Sequence, residues 1–132
     1  MNVVLGLAIL TAASTLIRLG GRHFSLWVDE GMSVGIASHS LTEIPGVLIN
    51  DGSPPLYYLL LHVWMELFGS SEGAVRALSL VFAVAAIPVG GWAGRSRFGR
   101  RAGWVAALLV AFSSYLTVHS REARMYSLVV LL

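Results

Sequence analysis

The chain has 132 residues, 56% of them hydrophobic and 12% charged, with a mean hydropathy of +0.75, a profile outside that of ordinary soluble domains and typical of a membrane protein. Nine arginines, no lysine and seven acids leave a net charge of +2, too small and too dispersed for a nucleic-acid partner. The absence of cysteine excludes disulfides, thiolate catalysis and cysteine zinc sites, and is silent on the compartment.

Residues 3–19 carry no charge except Arg18 and predict a first membrane span, with the arginine free to snorkel at its end. No basic region precedes them, so they read as a retained anchor and not as a signal peptide. Residues 20–73 form an outer loop of short amphipathic pieces. Val28, Met32 and Ile36 recur every four residues, and Leu41, Ile44, Val47 and Leu48 form a second apolar stripe, a pattern for helices lying on a membrane surface. The second piece opens at Ser40-Leu41-Thr42-Glu43, which has capping-box spacing, and closes at the turn-rich Asn50-Asp51-Gly52-Ser53.

Pro54-Pro55 opens a further helix over residues 56–68, stopped by Gly69, with Tyr58, His62 and Glu66 as a polar stripe. At about 20 Å it is too short for a hydrocarbon core of roughly 30 Å, and is expected to be interfacial or re-entrant. Residues 74–94 and 102–118 predict the second and third spans, separated by a loop over 95–101 that holds Arg95, Arg97, Arg100 and Arg101. So basic a loop stays in the cytoplasm. A fourth apolar run starts at Met125, and the chain is expected to be the N-terminal part of a larger protein, inactive alone. The expected fold is all-α: a multi-span transmembrane bundle, about three spans with a fourth begun, and amphipathic juxtamembrane helices in the first outer loop.

Parity then decides whether a polar site exists. If 56–68 does not cross, the acidic pair Asp29-Glu30 and the segment His119 to Arg124 share the extracytoplasmic face; if it crosses, they are parted by the bilayer. Asp29 and Glu30 fit a helix cap and first turn, and equally a general base on an acceptor hydroxyl or, if any metal is used, a divalent-ion site. Arg76, Arg121 and Arg124 fit interfacial arginines that snorkel, and equally bidentate ligands of a lipid phosphate. Glu122 is a candidate ion-pair partner between the last two. The histidines, among them His62, lack close ligand spacing, and the aromatic residues, Tyr57 and Tyr58 included, fit an interfacial belt that can also stack on a sugar.

Leu26-Trp27-Val28-Asp29-Glu30, Pro54-Pro55-Leu56-Tyr57-Tyr58, Ala74-Val75-Arg76-Ala77-Leu78-Ser79 and Ser120-Arg121-Glu122-Ala123-Arg124-Met125-Tyr126, in this order, resemble the N-terminal part of polyprenyl-phosphate-sugar-dependent glycosyltransferases of the GT-C superfamily. The likeness is to the protein mannosyltransferases and the aminoarabinose transferases of lipid A. It implies a multi-pass plasma-membrane enzyme that moves mannose or a related hexose or pentose from a polyprenyl-phosphate donor to a protein, glycan or lipid acceptor outside the cytoplasm. It implies Asp29 as the essential acid with Glu30 as its neighbour, Arg76 near the donor phosphate, and Glu122 and Arg124 in a second outer-loop motif; Arg121 and Arg124 remain candidate phosphate ligands on the reading of the residues. Glu122, Tyr57, Tyr58 and His62 become candidate substrate-site residues. Ser53 stands where many relatives place histidine. The alternative reading is a non-catalytic membrane module, a transporter half or scaffold subunit.

Overall fold

The computed structural model describes residues 3–20, 28–51 and 53–132, with the backbone alone for 50 and 51, and all regular structure among them is helical. The elements in order are α1 (Val3–Leu19), α2 (Val28–Ala37), α3 (Ile44–Asp51), α4 (Pro55–Phe68), α5 (Glu72–Ala111), α6 (Ser114–His119) and α7 (Tyr126–Leu131). The multi-span expectation is met only in part. By length and composition α5 alone among the described helices is long and apolar enough to cross a membrane, and α1 is a shorter apolar helix.

α5 is two helices joined at Gly99, whose φ of 85° and ψ of 178° no helix accommodates and glycine adopts without strain. The arms fold back on each other: a Cβ built at Gly91 lies 3.3 Å from Ala107 Cβ, and one at Gly94 lies 3.0 Å from Ala106 Cβ. Gly103 sits opposite, where a Cβ would meet Arg95 Cβ and the Gly91 carbonyl at 2.8 Å, so small residues let the two backbones approach. The basic loop expected over 95–101 is therefore helical except at Gly99.

The helix expected over 102–118 is interrupted at Phe112–Ser113, where the Ser113 side chain caps α6 by accepting from the Leu116 amide. A helix end exposes carbonyls that need donors. Arg18 supplies them. It is 2% exposed and does not snorkel: its Nη2 donates to the Val110 and Ala111 carbonyls at 3.3 Å, and its Nε to Ser14 Oγ at 3.1 Å. Ser14 Oγ in turn donates to the Ala111 carbonyl at 2.9 Å, tying α1 to the hairpin.

Two cores result. One packs α2, α3, α4, α7 and the first turns of α5 around Ile44, Leu48, Tyr57, Leu61, Val75 and Leu128; the other joins α1 to the hairpin through Leu7, Leu10, Ile87, Ala107 and Ala111. α4 begins at Pro55 and ends at Gly69, as the prolines and glycine predict. Half of the predicted capping box forms: Ser40 N donates to Glu43 Oε2, while the Ser40 hydroxyl also donates to that oxygen and the Glu43 amide bonds the Ser40 carbonyl, and these side-chain bonds hold the Glu43 carboxyl below the usual carboxylate range.

α2 keeps Val28 and Met32 of its apolar stripe outward and turns Ile36 inward. Its apolar residues Val28 and Met32 are 82% and 53% exposed, while Glu30, Ser33, Ile36 and Ala37 face inward. A carboxylate turned inward, with methyl groups turned outward, requires strong partners inside.

Candidate active site

Those partners are on α5 and in the turn after α6. Ser71 caps α5 by accepting from the Ala74 amide, which sets Arg76 in the helix's second turn, facing α2. Arg76 grips Glu30 with two parallel bonds, Nε to Oε1 at 2.9 Å and Nη2 to Oε2 at 2.7 Å. The Ala123 amide donates to the same Oε1 at 2.9 Å. With its side chain 2% exposed, Glu30 thus joins three segments distant in sequence, and bidentate geometry with a third donor is what a buried carboxylate needs. Arg76 also lies 3.7 Å from Glu72.

The adjacent acid has the opposite environment. Asp29 is in the first turn of α2, so it is within the helix and not its cap, and its side chain is 62% exposed. Its Oδ2 accepts from Arg124 Nη1 at 2.6 Å. The Arg124 guanidinium lies 5.4 Å over the Tyr126 ring, a cation–π contact that leaves the group at the surface. Beneath it, Ser79 Oγ donates to the Arg124 carbonyl at 3.2 Å and is itself bonded to the Tyr57 hydroxyl at 3.0 Å. Burial pushes the Tyr57 phenol up, so it stays neutral and supports the turn as a hydrogen-bonding group.

Other candidates are placed elsewhere. Arg121 donates through Nε and Nη2 to the Arg18 and Ile17 carbonyls, both at 2.9 Å, closing the C-terminus of α1 and not facing Asp29. Glu122 pairs with His119 Nδ1 at 2.9 Å and not with either arginine. His119 lies between Tyr115 and Tyr126, with ring centroids 4.3 and 4.6 Å away and the rings tilted by 60° and 51°. His62 Nδ1 donates to the Ala37 carbonyl at 2.8 Å, binding α4 to the end of α2, and Tyr58 is buried in the core edge-on to Tyr57. Among the described residues no three His, Cys, Asp or Glu side chains converge as a metal site, and Glu30 already accepts from Arg76 and the Ala123 amide. His23, Trp27 and Gly52 lie outside the described residues.

Sequence reasoning assigned no such role to two residues. The Ala123 amide is backbone and has no sequence signature. Arg18 had one: Ser14 stands one helical turn before it, a polar pair on one face of an otherwise apolar helix.

Residues 52–132, more than half of the chain, match the dolichyl-phosphate-mannose-protein mannosyltransferase family. The chain belongs to that family. No curated protein and no solved structure matches it. As a member of the dolichyl-phosphate-mannose-protein mannosyltransferase family it is a membrane glycosyltransferase of the mannosyltransferase type, a class that uses a lipid-linked sugar and a glycan or protein acceptor. The family match covers Arg76 and the turn over 120–125 but begins after α3, so Asp29 and Glu30 reach the matched region through the contacts described above.

Proposed function

We propose that this chain moves a hexose or pentose, mannose foremost, from a polyprenyl-phosphate donor to a hydroxyl of a protein, glycan or lipid acceptor on the extracytoplasmic face of the plasma membrane. In this reading residues 3–19, 74–94 and 102–118 cross the bilayer and α2, α3 and α4 lie in the outer loop over 20–73. The supporting observation is the division of labour within the acidic pair: Glu30 is buried on Arg76, whereas Asp29 is open to solvent beside Arg124.

Asp29 then takes the proton of the acceptor hydroxyl as that oxygen bonds to the anomeric carbon, and the bond from that carbon to the phosphate oxygen breaks. The departing polyprenyl phosphate keeps the electron pair and gains negative charge. Arg124, held to Asp29 by one hydrogen bond, has donors to turn toward that phosphate; Arg76, with its donors on Glu30, contributes its field to the site more than a direct grip. Arg121 is assigned to the end of α1 and not to the phosphate. A divalent ion, if the reaction uses one, falls to Asp29, the more accessible carboxylate.

Asp29→Asn is expected to lower transfer by roughly a hundredfold or more while leaving membrane insertion intact. Arg124→Gln is expected to raise KM for the lipid donor more than for the acceptor. Transfer assays with a polyprenyl-phosphate sugar and a radiolabelled acceptor check both, and wild-type turnover in the Asp29 variant removes that residue from the chemistry.

A further inference from the structure

The hairpin tip at Gly99 gathers Arg95, Arg97, Arg100 and Arg101, and none of them has an ion pair or side-chain hydrogen bond among the described residues. No acid occurs between Glu72 and Glu122. Arg95 is nineteen residues beyond Arg76 in the sequence, roughly 29 Å along the helix, so this cluster lies a bilayer's thickness from the acid and arginine site. Two of the four arginines are distinguished by what lies beside them. Arg95 and Arg100 line a cavity of about 190 Å³ between α1 and the hairpin, together with Trp92, Trp104 and Leu7. Gly91 and Gly103, where the two arms approach most closely, are part of its wall.

A second space adjoins the slot. Val4 and Leu7 line both it and an apolar groove of about 750 Å³ that follows α1 past Thr11 to Leu16, with Pro88 as its floor. From Val4 to Leu16 that groove is roughly 18 Å long, the extent of a long acyl chain. Arginine heads with no acid partner among the described residues, two tryptophans and an apolar groove thus lie side by side along α1.

We propose that Arg95, Arg100, Trp92 and Trp104 form a binding site for an anionic phospholipid, its phosphate between the two arginines and one acyl chain in the groove along α1. The proposal stands apart from sugar transfer, since none of these residues touches Asp29, Glu30, Arg76 or Arg124. Two guanidiniums favour a phosphate bidentately and neutralise a charge that a zwitterionic head neutralises for itself, which gives the headgroup preference. All four arginines are exposed, but Arg97 and Arg101 do not line the cavity, so they add only general surface attraction.

The test uses the full chain in phosphatidylcholine nanodiscs, with Trp27→Phe and Trp64→Phe so that Trp92 and Trp104 carry the fluorescence. Brominated phosphatidylglycerol at low mole fraction is expected to quench at least about fivefold more than brominated phosphatidylcholine. Arg95→Gln with Arg100→Gln abolishes that preference; the lysine pair at the same positions retains most of it, and Arg97→Gln with Arg101→Gln leaves it in place. Native mass spectrometry of the chain with its tryptophans intact gives the same ranking through retained phosphatidylglycerol. Equal quenching by the two headgroups overturns the proposal, as does equal loss in both glutamine pairs, which reduces the effect to surface charge. Displacement of the brominated lipid by farnesyl phosphate in preference to phosphatidylglycerol also overturns it, assigning the groove to the donor.

Discussion

At the scale of single residues, neighbouring acids in one helical turn have unlike environments because a helix turns by about 100° between them. Glu30 meets Arg76 and the Ala123 amide, while Asp29 remains at the surface with Arg124. Removing one partner of a buried pair leaves the other uncompensated, so Glu30→Gln is expected to destabilise the protein by about 3 kcal/mol. Thermal melting in detergent checks this, and the swap Glu30→Arg with Arg76→Glu is not expected to restore stability, because the Ala123 amide then lacks its acceptor. Arg18 sets a second residue-scale expectation. Arg18→Met keeps the apolar stem but withdraws the donors from the Val110 and Ala111 carbonyls, at a loss of about 1–3 kcal/mol in the same measurement. A melting point equal to the parent's would mean that those carbonyls are satisfied in another way.

Among the elements, α5 carries most of the architecture, and its form depends on glycine. A residue with a Cβ resists the φ of 85° at Gly99, and the hairpin's closeness depends on Gly91, Gly94 and Gly103. The paired arms predict a cross-link. Gly91→Cys with Ala107→Cys brings Cβ positions 3.3 Å apart, within reach of a disulfide after slight adjustment, in a chain with no cysteine of its own. Oxidation is expected to yield an intramolecular disulfide at this pair, and little at Trp92→Cys with Ala107→Cys, since Trp92 is exposed. A peptide-mapping result with the two pairs equally linked would contradict the register. In α2 the ion pair of Glu30 fixes which face turns into the protein: Ile36 packs inside, while Val28 and Met32 of the same apolar stripe stay outward, as in a helix that lies on a membrane surface.

For the whole molecule, the meeting of α2 with the turn after α6 has a topological consequence. Groups joined at 2.6 to 2.9 Å cannot lie on opposite sides of a bilayer, so Asp29 and Arg121 are expected on one face and the Gly99 tip on the other. Single cysteines at Asp29, Arg121 and Phe98, probed with a membrane-impermeant thiol reagent in sealed vesicles, are expected to label the first two from one side and the third from the other. Labelling of Asp29 and Arg121 from opposite sides would place α4 across the membrane and part the site.

The all-helical class, the apolar character, the limits of α4 and the Ser40–Glu43 pairing before α3 were legible in the residues alone, because proline, glycine, capping pairs and helical periodicity act over a few residues. Its ordered motifs also pointed to the family that residues 52–132 match. Only the tertiary structure decided which acid is buried, that Arg121 and Arg18 close helix ends, that the third predicted span breaks at Phe112–Ser113, and that Ala123 offers its amide to Glu30. Each of these is a contact between residues far apart in the chain, and local propensity carries no information about which distant group will satisfy a buried charge or an open carbonyl.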